Sequence, residues 1–347
     1  MKERFARSSR GSILVITVWC LSVLAVFSVS LASSVKEKAA FAKRINTPDS
    51  LYSIAYSGIE QARGLIREEE ETPVYSTFLD RWVNNPSVFR QVSLGDGHFT
   101  VSRSVSVGEG STGSAEWFGL EDEEGKININ TADAQTLTRV LKIAAKLDSD
   151  QAEELAFAMV DWRDQDSNYS HPEYGAEDKD YEGLKKPYFS KDAPYQALDE
   201  LLLVKGINRD IFDRIRGFIS VYGSGAVDVN TASKEVLTML GFNQRLVDKI
   251  LFYRQGPDGL DGTADDRFFV QGASIASDLD KIILLDFAEK TALENAAAGA
   301  KLDVVSNFFL VKSRAVNLAG ASVGAEAVID RKGKVMYSRF SRVQWPS

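Results

Sequence analysis

Histidine and cysteine are nearly missing from this chain: 347 residues hold two histidines, His98 and His171, and one cysteine, Cys20. A single cysteine excludes an intrachain disulfide, and two histidines exclude a histidine-rich metal centre. Cys20 also lies inside an uncharged apolar run, which removes it as a catalytic nucleophile. Positive charge is in deficit as well. Lys and Arg number 41 against 49 Asp and Glu, a formal net of −8, whereas a general nucleic-acid binder carries a basic face. Neither a G-x-x-x-x-G-K-[ST] phosphate loop nor a Gly-x-Ser-x-Gly elbow occurs. No catalytic set emerges from what remains, so the sequence reads as a non-enzyme. The length allows two or three packed domains.

What is present begins with twenty uncharged residues from Ile13 to Ala32, mostly Ile, Leu, Val, Ala and Phe. At about 1.5 Å per residue a helix of that length crosses a hydrocarbon core. Lys2, Arg4, Arg7 and Arg10 precede it, and Lys36, Lys38, Lys43 and Arg44 follow, so charge bias alone leaves the orientation open. Two processing routes are consistent with the text. "SLASS" offers small residues for a signal-type cleavage near Ser33 or Ser34. Alternatively, the basic leader ends at Gly11, cleavage follows it, and the helix stays on the protein beginning at Ser12.

Beyond the apolar run, "VKEKAAFAKRIN" and "LYSIAYSGIEQARGLIREEEE" carry helical periodicity, and Pro48 between them predicts a kink in one long helix. "GHFTVSRSVSV" alternates as a half-buried strand, with Arg103 interrupting its apolar face, and "WFGLEDEEGKININ" reads as a turn at Glu123–Gly125 followed by a strand. Three more strands are expected near the carboxyl end, the last two joined by a hairpin at Arg331–Gly333. Strand-rich pieces thus bracket a helical middle, which predicts an α+β fold with a helical insertion.

The middle contains a repeat. "KININTADAQTLTRVL" from Lys126 and "AVDVNTASKEVLTML" from Ala226 align at an offset of one hundred, superposing Asn130, Thr131 and Ala132 on Asn230, Thr231 and Ala232. An extended entry ending in a capping Asn-Thr, then an apolar-periodic helix, predicts two small helical bundles of one design. The hairpin texts "KGIN" and "LGFN" also suggest helix-hairpin-helix elements of a membrane-anchored DNA-uptake receptor. Each lacks the second glycine through which such turns reach phosphate, and the surroundings are acidic, so packing is the favoured role.

From Asp161 to Asp192 nine acids face five Lys or Arg. Within this stretch "DWRDQD" spaces Asp161, Asp164 and Asp166, and "GAED" adds Glu177 and Asp178. Hard cations such as calcium take carboxylate oxygens from flexible loops, and clustered carboxylates repel unless neutralised. A calcium site and a solvated acidic loop both stand as readings. "GPDGLDGTADDRFF" offers a second candidate in Asp258, Asp261 and Asp265, with Asx-type turns as the alternative.

Together the "RG–SILVI" junction, "SGIEQA", "KININTA", "DWRDQD…GAEDKDY", "DELLLVKGI" and "VDVNTA" resemble the K-class minor pseudopilins of type II secretion, over nearly the whole chain. Ile16 stands where most pilin-like chains carry Glu, as is usual in that class. The resemblance implies a pilin-like long amino-terminal helix with an antiparallel sheet, and a large helical insertion of two sterile-alpha-motif-like modules. In those terms the chain divides into a leader at 1–11, a transmembrane part at 12–33, pilin-like helix and strands at 34–130, modules at 131–225 and 226–300, and closing strands at 301–347. It further implies a single pass through the bacterial inner membrane with the bulk in the periplasm, a place at the pseudopilus tip, and structural calcium. Implied partners are the I- and J-class minor pseudopilins, the major pseudopilin and prepilin peptidase, with no nucleic acid. Gly11 and Ser12 would be the processing pair.

Overall fold

The computed structural model of the chain describes residues 10–69, 75–106 and 114–341. Most of the expected leader lies outside them, and although Gly11 and Ser12 fall within the first helix, their side chains are not among those described. The chain divides into two compact units, residues 1–53 and 54–347.

The described residues of the first unit, 10–53, are helical. Helix α1 spans Arg10–Glu68, and its stretch Leu14–Lys36, with mean hydropathy 2.4, is long and apolar enough to cross a membrane. The helix runs through Pro48, where the sequence suggests an interruption.

In the second unit the chain passes through the single turn α2 (Pro86–Phe89) into β1 (Val92–Leu94) and β2 (Gly97–Val101), then β3 (Arg103–Ser106), β4 (Ser114–Trp117) and β5 (Glu121–Asp122). The stretch "GHFTVSRSVSV" is therefore two strands. Its chain leaves the main sheet at Ser102, and β3 pairs with β4 in a separate ribbon. Arg103 is the reason the alternation fails: its guanidinium stacks 5.1 Å from the Trp117 ring and 5.8 Å from Phe78. Val107 lies outside the described residues.

Two helical modules follow. The first opens with β6 (Ile127–Asn128), contains α3 (Ala134–Val140), α4 (Ser149–Asp161), α5 (Asp178–Glu182) and α6 (Arg209–Ile215), and closes with β7 (Ile219–Ser220), parallel to β6. The second opens with β8 (Val227–Asp228), contains α7 (Lys234–Met239), α8 (Gln244–Gln255), α9 (Ile275–Asp280) and α10 (Phe287–Ala298), and closes with β9 (Leu302–Asp303), parallel to β8. One continuous apolar core serves both modules.

The chain then returns to the sheet in β10 (Phe308–Asn317), β11 (Ser322–Asp330) and β12 (Val335–Ser341), in the order β1-β2-β10-β11-β12, with β5 also pairing to β10. Every pair in this sheet is antiparallel. Ile54, Ile59, Ala62 and Ile66 of α1 are buried, and Gly58 lets the helix backbone approach Ser313 and Phe99 of the sheet. The α+β architecture is thus an antiparallel sheet with a long helix, interrupted between β5 and β10 by the helical insertion.

Candidate metal centre in a duplicated module

The repeat seen at an offset of one hundred is a repeat of side-chain roles. The capping residues are Asp133 and Ser233, which accept from the Thr136 and Val236 amides; the Asn-Thr pair expected to cap lies too early, because the helices begin only at Ala134 and Lys234. Asn130 and Asn230 do something else. Asn130 donates to the Tyr195 carbonyl and accepts from its amide, and Asn230 does the same with Phe269. A primary amide carries a donor and an acceptor side by side and so satisfies the carbonyl and amide of one extended residue together. Arg163 donates to the Ile129 and Ala132 carbonyls, and Arg254 donates to Val229 and Ala232.

These paired roles show where the acidic stretches lie. In each module the chain leaves the carbonyl-binding arginine, runs through an acidic loop, and returns at the residue bracketed by the asparagine. Residues 164–194 and 255–268 are therefore equivalent loops. The modules also contact each other reciprocally: Gly125 packs on Thr231 and Gly225 on Thr131, as in a two-fold related pair.

In the first loop Asp161 is fully buried at the end of α4; its oxygens accept from the Ser170 amide at 3.0 Å and the Ala176 amide at 2.9 Å. Gly175, at φ +111°, has a backbone that passes against this carboxylate where any side chain would collide. Asp178 accepts from the Ser190 amide and hydroxyl, and the exposed Asp166 accepts from Asn168. Asp164 accepts from the Ser170 hydroxyl through one oxygen, and Asp180 is held by Tyr169 and Lys205, but other carboxylate oxygens here lack partners. Both oxygens of Glu177, which is 2% exposed, together with one oxygen each of Asp164 and Asp192, are buried without a hydrogen bond. Burial, then the charges of Asp161, Asp164, Asp192 and Asp178, pushes the Glu177 carboxyl up to about 7. Burial and neighbouring acids also raise Asp164. Asp192 went unrecognised in the sequence; its left-handed backbone, φ 51°, is the local trace of its inward turn.

The side chains as placed do not form a finished coordination sphere: among the described residues no group of three or more His, Cys, Asp or Glu is set to hold a metal. The donor set nonetheless suits a hard cation, since four orphaned carboxylate oxygens are what such an ion satisfies. The second loop differs. Asp258 accepts from Leu260, Asp261 pairs with buried Arg254 at 3.3 Å and accepts from Gln255, and Asp265 accepts from Thr263 and the Asp258 amide. Thr263 also holds Asp265 below the usual carboxylate range. Each of the three predicted ligands there has a protein partner.

The hairpin turns serve packing. Asn208 and Asn243 cap α6 and α8, and Arg139 donates to the Met239 and Leu240 carbonyls beside the second turn.

A family model described as "Type II secretion system (T2SS), protein K" matches residues 119–224. The chain is 31% identical over 104 residues to "Type II secretion system protein K" of Aeromonas hydrophila, an alignment spanning 29% of this chain and about a third, 31%, of that relative. A chain of the GspK-GspI-GspJ complex from the enterotoxigenic Escherichia coli type 2 secretion system superposes with a TM-score of 0.58, covering 88% of this chain and 98% of that one at 16% identity. That likeness speaks for the fold, and the first module, with its acidic loop, is the part matched in sequence. Over residues 119–224 the chain is similar to type II secretion system protein K, and it spans only about a third of the length of the relative it matches.

Proposed function

We propose that the protein is a minor pseudopilin of type II secretion, non-enzymatic, sitting at the tip of the periplasmic pseudopilus with the I- and J-class minor pseudopilins and promoting its assembly. The observation that carries this reading is the pair of helical modules inserted between β5 and β10 of a sheet whose chain starts in a 23-residue apolar helical stretch. A subunit enlarged in this way suits the end of a filament rather than its interior. Ile16 fits the same place, because an interior subunit would use a carboxylate there to pair with a neighbour's amino terminus. The helix would anchor the chain in the inner membrane with its bulk in the periplasm, and prepilin peptidase would cut after Gly11 to leave N-methylated Ser12. The major pseudopilin would lie beneath it.

Two measurements test the reading. Co-expression with the I- and J-class proteins of the same source, followed by membrane extraction, is expected to yield a complex of all three; its absence under conditions where I and J associate would overturn the tip assignment. Intact mass is expected to place the amino terminus at methylated Ser12, and a terminus at Ser33 or Ser34 would mean an ordinary secreted protein.

The reading includes a structural calcium ion at the first acidic loop. Asp164, Glu177 and Asp192 would hold it, with Asp161 locked to the backbone beside them. The ion would supply positive charge that lets these buried acids ionise together.

A further inference from the structure

The sheet has a second face, turned away from α1. Phe99 and Ser313 meet the helix around Gly58, so side chains one residue along each strand point the other way. In the register of β2 with β10, Arg314 lies opposite Thr100 and Val316 opposite His98, which places these four side chains together on that outer face. They line a groove of about 300 Å³ whose far wall carries Arg90 and Phe118.

The charges in this groove are unusual for so acidic a chain. Elsewhere on the sheet Arg339 is shared between Asp199 and Glu326, and Lys312 is paired with Glu121. Arg90 and Arg314 have no acidic partner among the described residues. Arg90 is held in place: its guanidinium lies 5.2 Å from the centre of the Phe118 ring, leaving the edge of the fork available. Gln91, in the left-handed region at φ 50°, turns the chain sharply after α2 and ties its amide to the Thr100 hydroxyl at 3.1 Å. A strained residue thus fixes Arg90 at the rim. Glu116 is the one acid in the lining, and its carboxylate accepts from Ser102 at 2.7 Å.

We propose that this groove docks an acidic, extended segment of a partner protein, with carboxylates of that segment pairing with Arg90 and Arg314. Guanidinium forks match carboxylates in two parallel hydrogen bonds, and Phe118 and Val316 give apolar walls for the methylenes behind them. A phosphate polymer or an anionic membrane fits less well, because its dense charge meets Glu116 and a chain of net −8. The proposal stands on the sheet alone and does not depend on the family resemblance.

The test uses the full chain in detergent and fluorescein-labelled Glu-Asp-Leu-Glu-Asp, with Gln-Asn-Leu-Gln-Asn as the uncharged counterpart, read by anisotropy. The acidic peptide is expected to bind at least about tenfold more tightly and to weaken with added salt. Arg90→Gln and Arg314→Gln should each reduce its affinity about fivefold or more. Arg245→Gln, an exposed arginine elsewhere, should leave it unchanged. Arg314→Glu should shift preference towards Lys-Arg-Leu-Lys-Arg, which a misfolded variant would not do. Equal binding of the acidic and amide peptides, or insensitivity to both groove substitutions, overturns the proposal. Displacement of the peptide by equimolar inorganic phosphate, or by phosphatidylglycerol vesicles, would overturn it in favour of a phosphate-binding groove.

Discussion

Asp122 and Asp228 meet at one hydroxyl: Ser306 Oγ lies 2.5 Å from Asp122 Oδ2 and 2.8 Å from Asp228 Oδ2. A hydroxyl has a single proton, so it donates to one carboxyl and accepts from the other, which must then carry a proton of its own. Asp122 also receives the Thr231 hydroxyl and the Glu124 amide, donors that favour its ionised form. Asp228 is fully buried, and burial followed by the charge of Asp122 raises it well above the ordinary range. Burial raises both carboxyls, Asp228 the further, so Asp228 is the better placed of the two to hold the proton. The sheet (β5), the second module (β8) and the strand leading into β10 are joined through this shared proton.

Stability should fall as the pH rises. A buried acid whose folded pKa is raised contributes stability that is complete below its unfolded value and lost as pH climbs through the folded one. Glu124, buried beside Asp122 and bonded to the Asn307 amide, is pushed from 4.5 up to about 7, first by burial, so its contribution disappears across that window. The change is on the order of 3 kcal/mol for Glu124 alone. Melting temperature measured in chelator is expected to decline from about pH 5 to about pH 8. Asp228→Asn should flatten the decline, and an unchanged slope would contradict the shared proton.

Lys126 is the counterweight to these acids. Its ammonium lies 2.8 Å from Glu121 and 2.6 Å from Glu123, all three largely buried, and Lys312 takes the other Glu121 oxygen at 2.8 Å. Burial alone would raise Glu121, yet the two lysines hold it below the usual carboxylate range. Lys126→Met leaves Glu123 without its cation and Glu121 with Lys312 alone, and should cost about 3–5 kcal/mol in urea unfolding at neutral pH. The deficit should shrink on acidification, as Glu121, no longer held down by Lys126, takes up a proton. A constant deficit would point to lost packing instead of lost charge.

The duplicated arginines allow a matched pair of experiments. Each spans two carbonyls, which a guanidinium fork can do and an ammonium does less well. Arg163→Lys and Arg254→Lys should each destabilise by about 1–2 kcal/mol, with amide exchange accelerating locally at 127–134 in the first and 227–234 in the second. Global acceleration in either would mean the modules do not open separately.

Some of this was legible in the chain and some was not, for identifiable reasons. The strands at 308–317, 322–330 and 335–341 announce themselves through alternation and the Arg331–Gly333 turn, which are local signals. The offset of one hundred is equally visible, but the reciprocal packing of Gly125 on Thr231 and Gly225 on Thr131 depends on how the two copies meet. "EDEEGK" reads as a turn and gives no sign of burial; Asp122, Glu123, Glu124 and Lys126 are buried because partners such as Ser220, Asp228 and Ser306 arrive from far along the chain. At the candidate metal centre Asp161, Asp164 and Glu177 followed from motif text. Asp192 did not, since nothing near it in sequence marks its unpaired oxygen.

Glu177 provides the sharpest test of the ion. With no cation present its carboxylate is an unpaired buried charge among Asp161, Asp164 and Asp192, so Glu177→Gln removes repulsion at little cost in shape. In chelator the variant should be more stable than the parent by about 1 kcal/mol. In millimolar calcium the order should reverse, because the parent gains binding energy that the variant, having lost a charged ligand, cannot recover. Thermal melts of both proteins, with and without calcium, give the four values needed. Parallel gains from calcium in parent and variant would remove Glu177 from the site, and no gain in either would leave the loop as a hydrogen-bonded acidic turn without an ion.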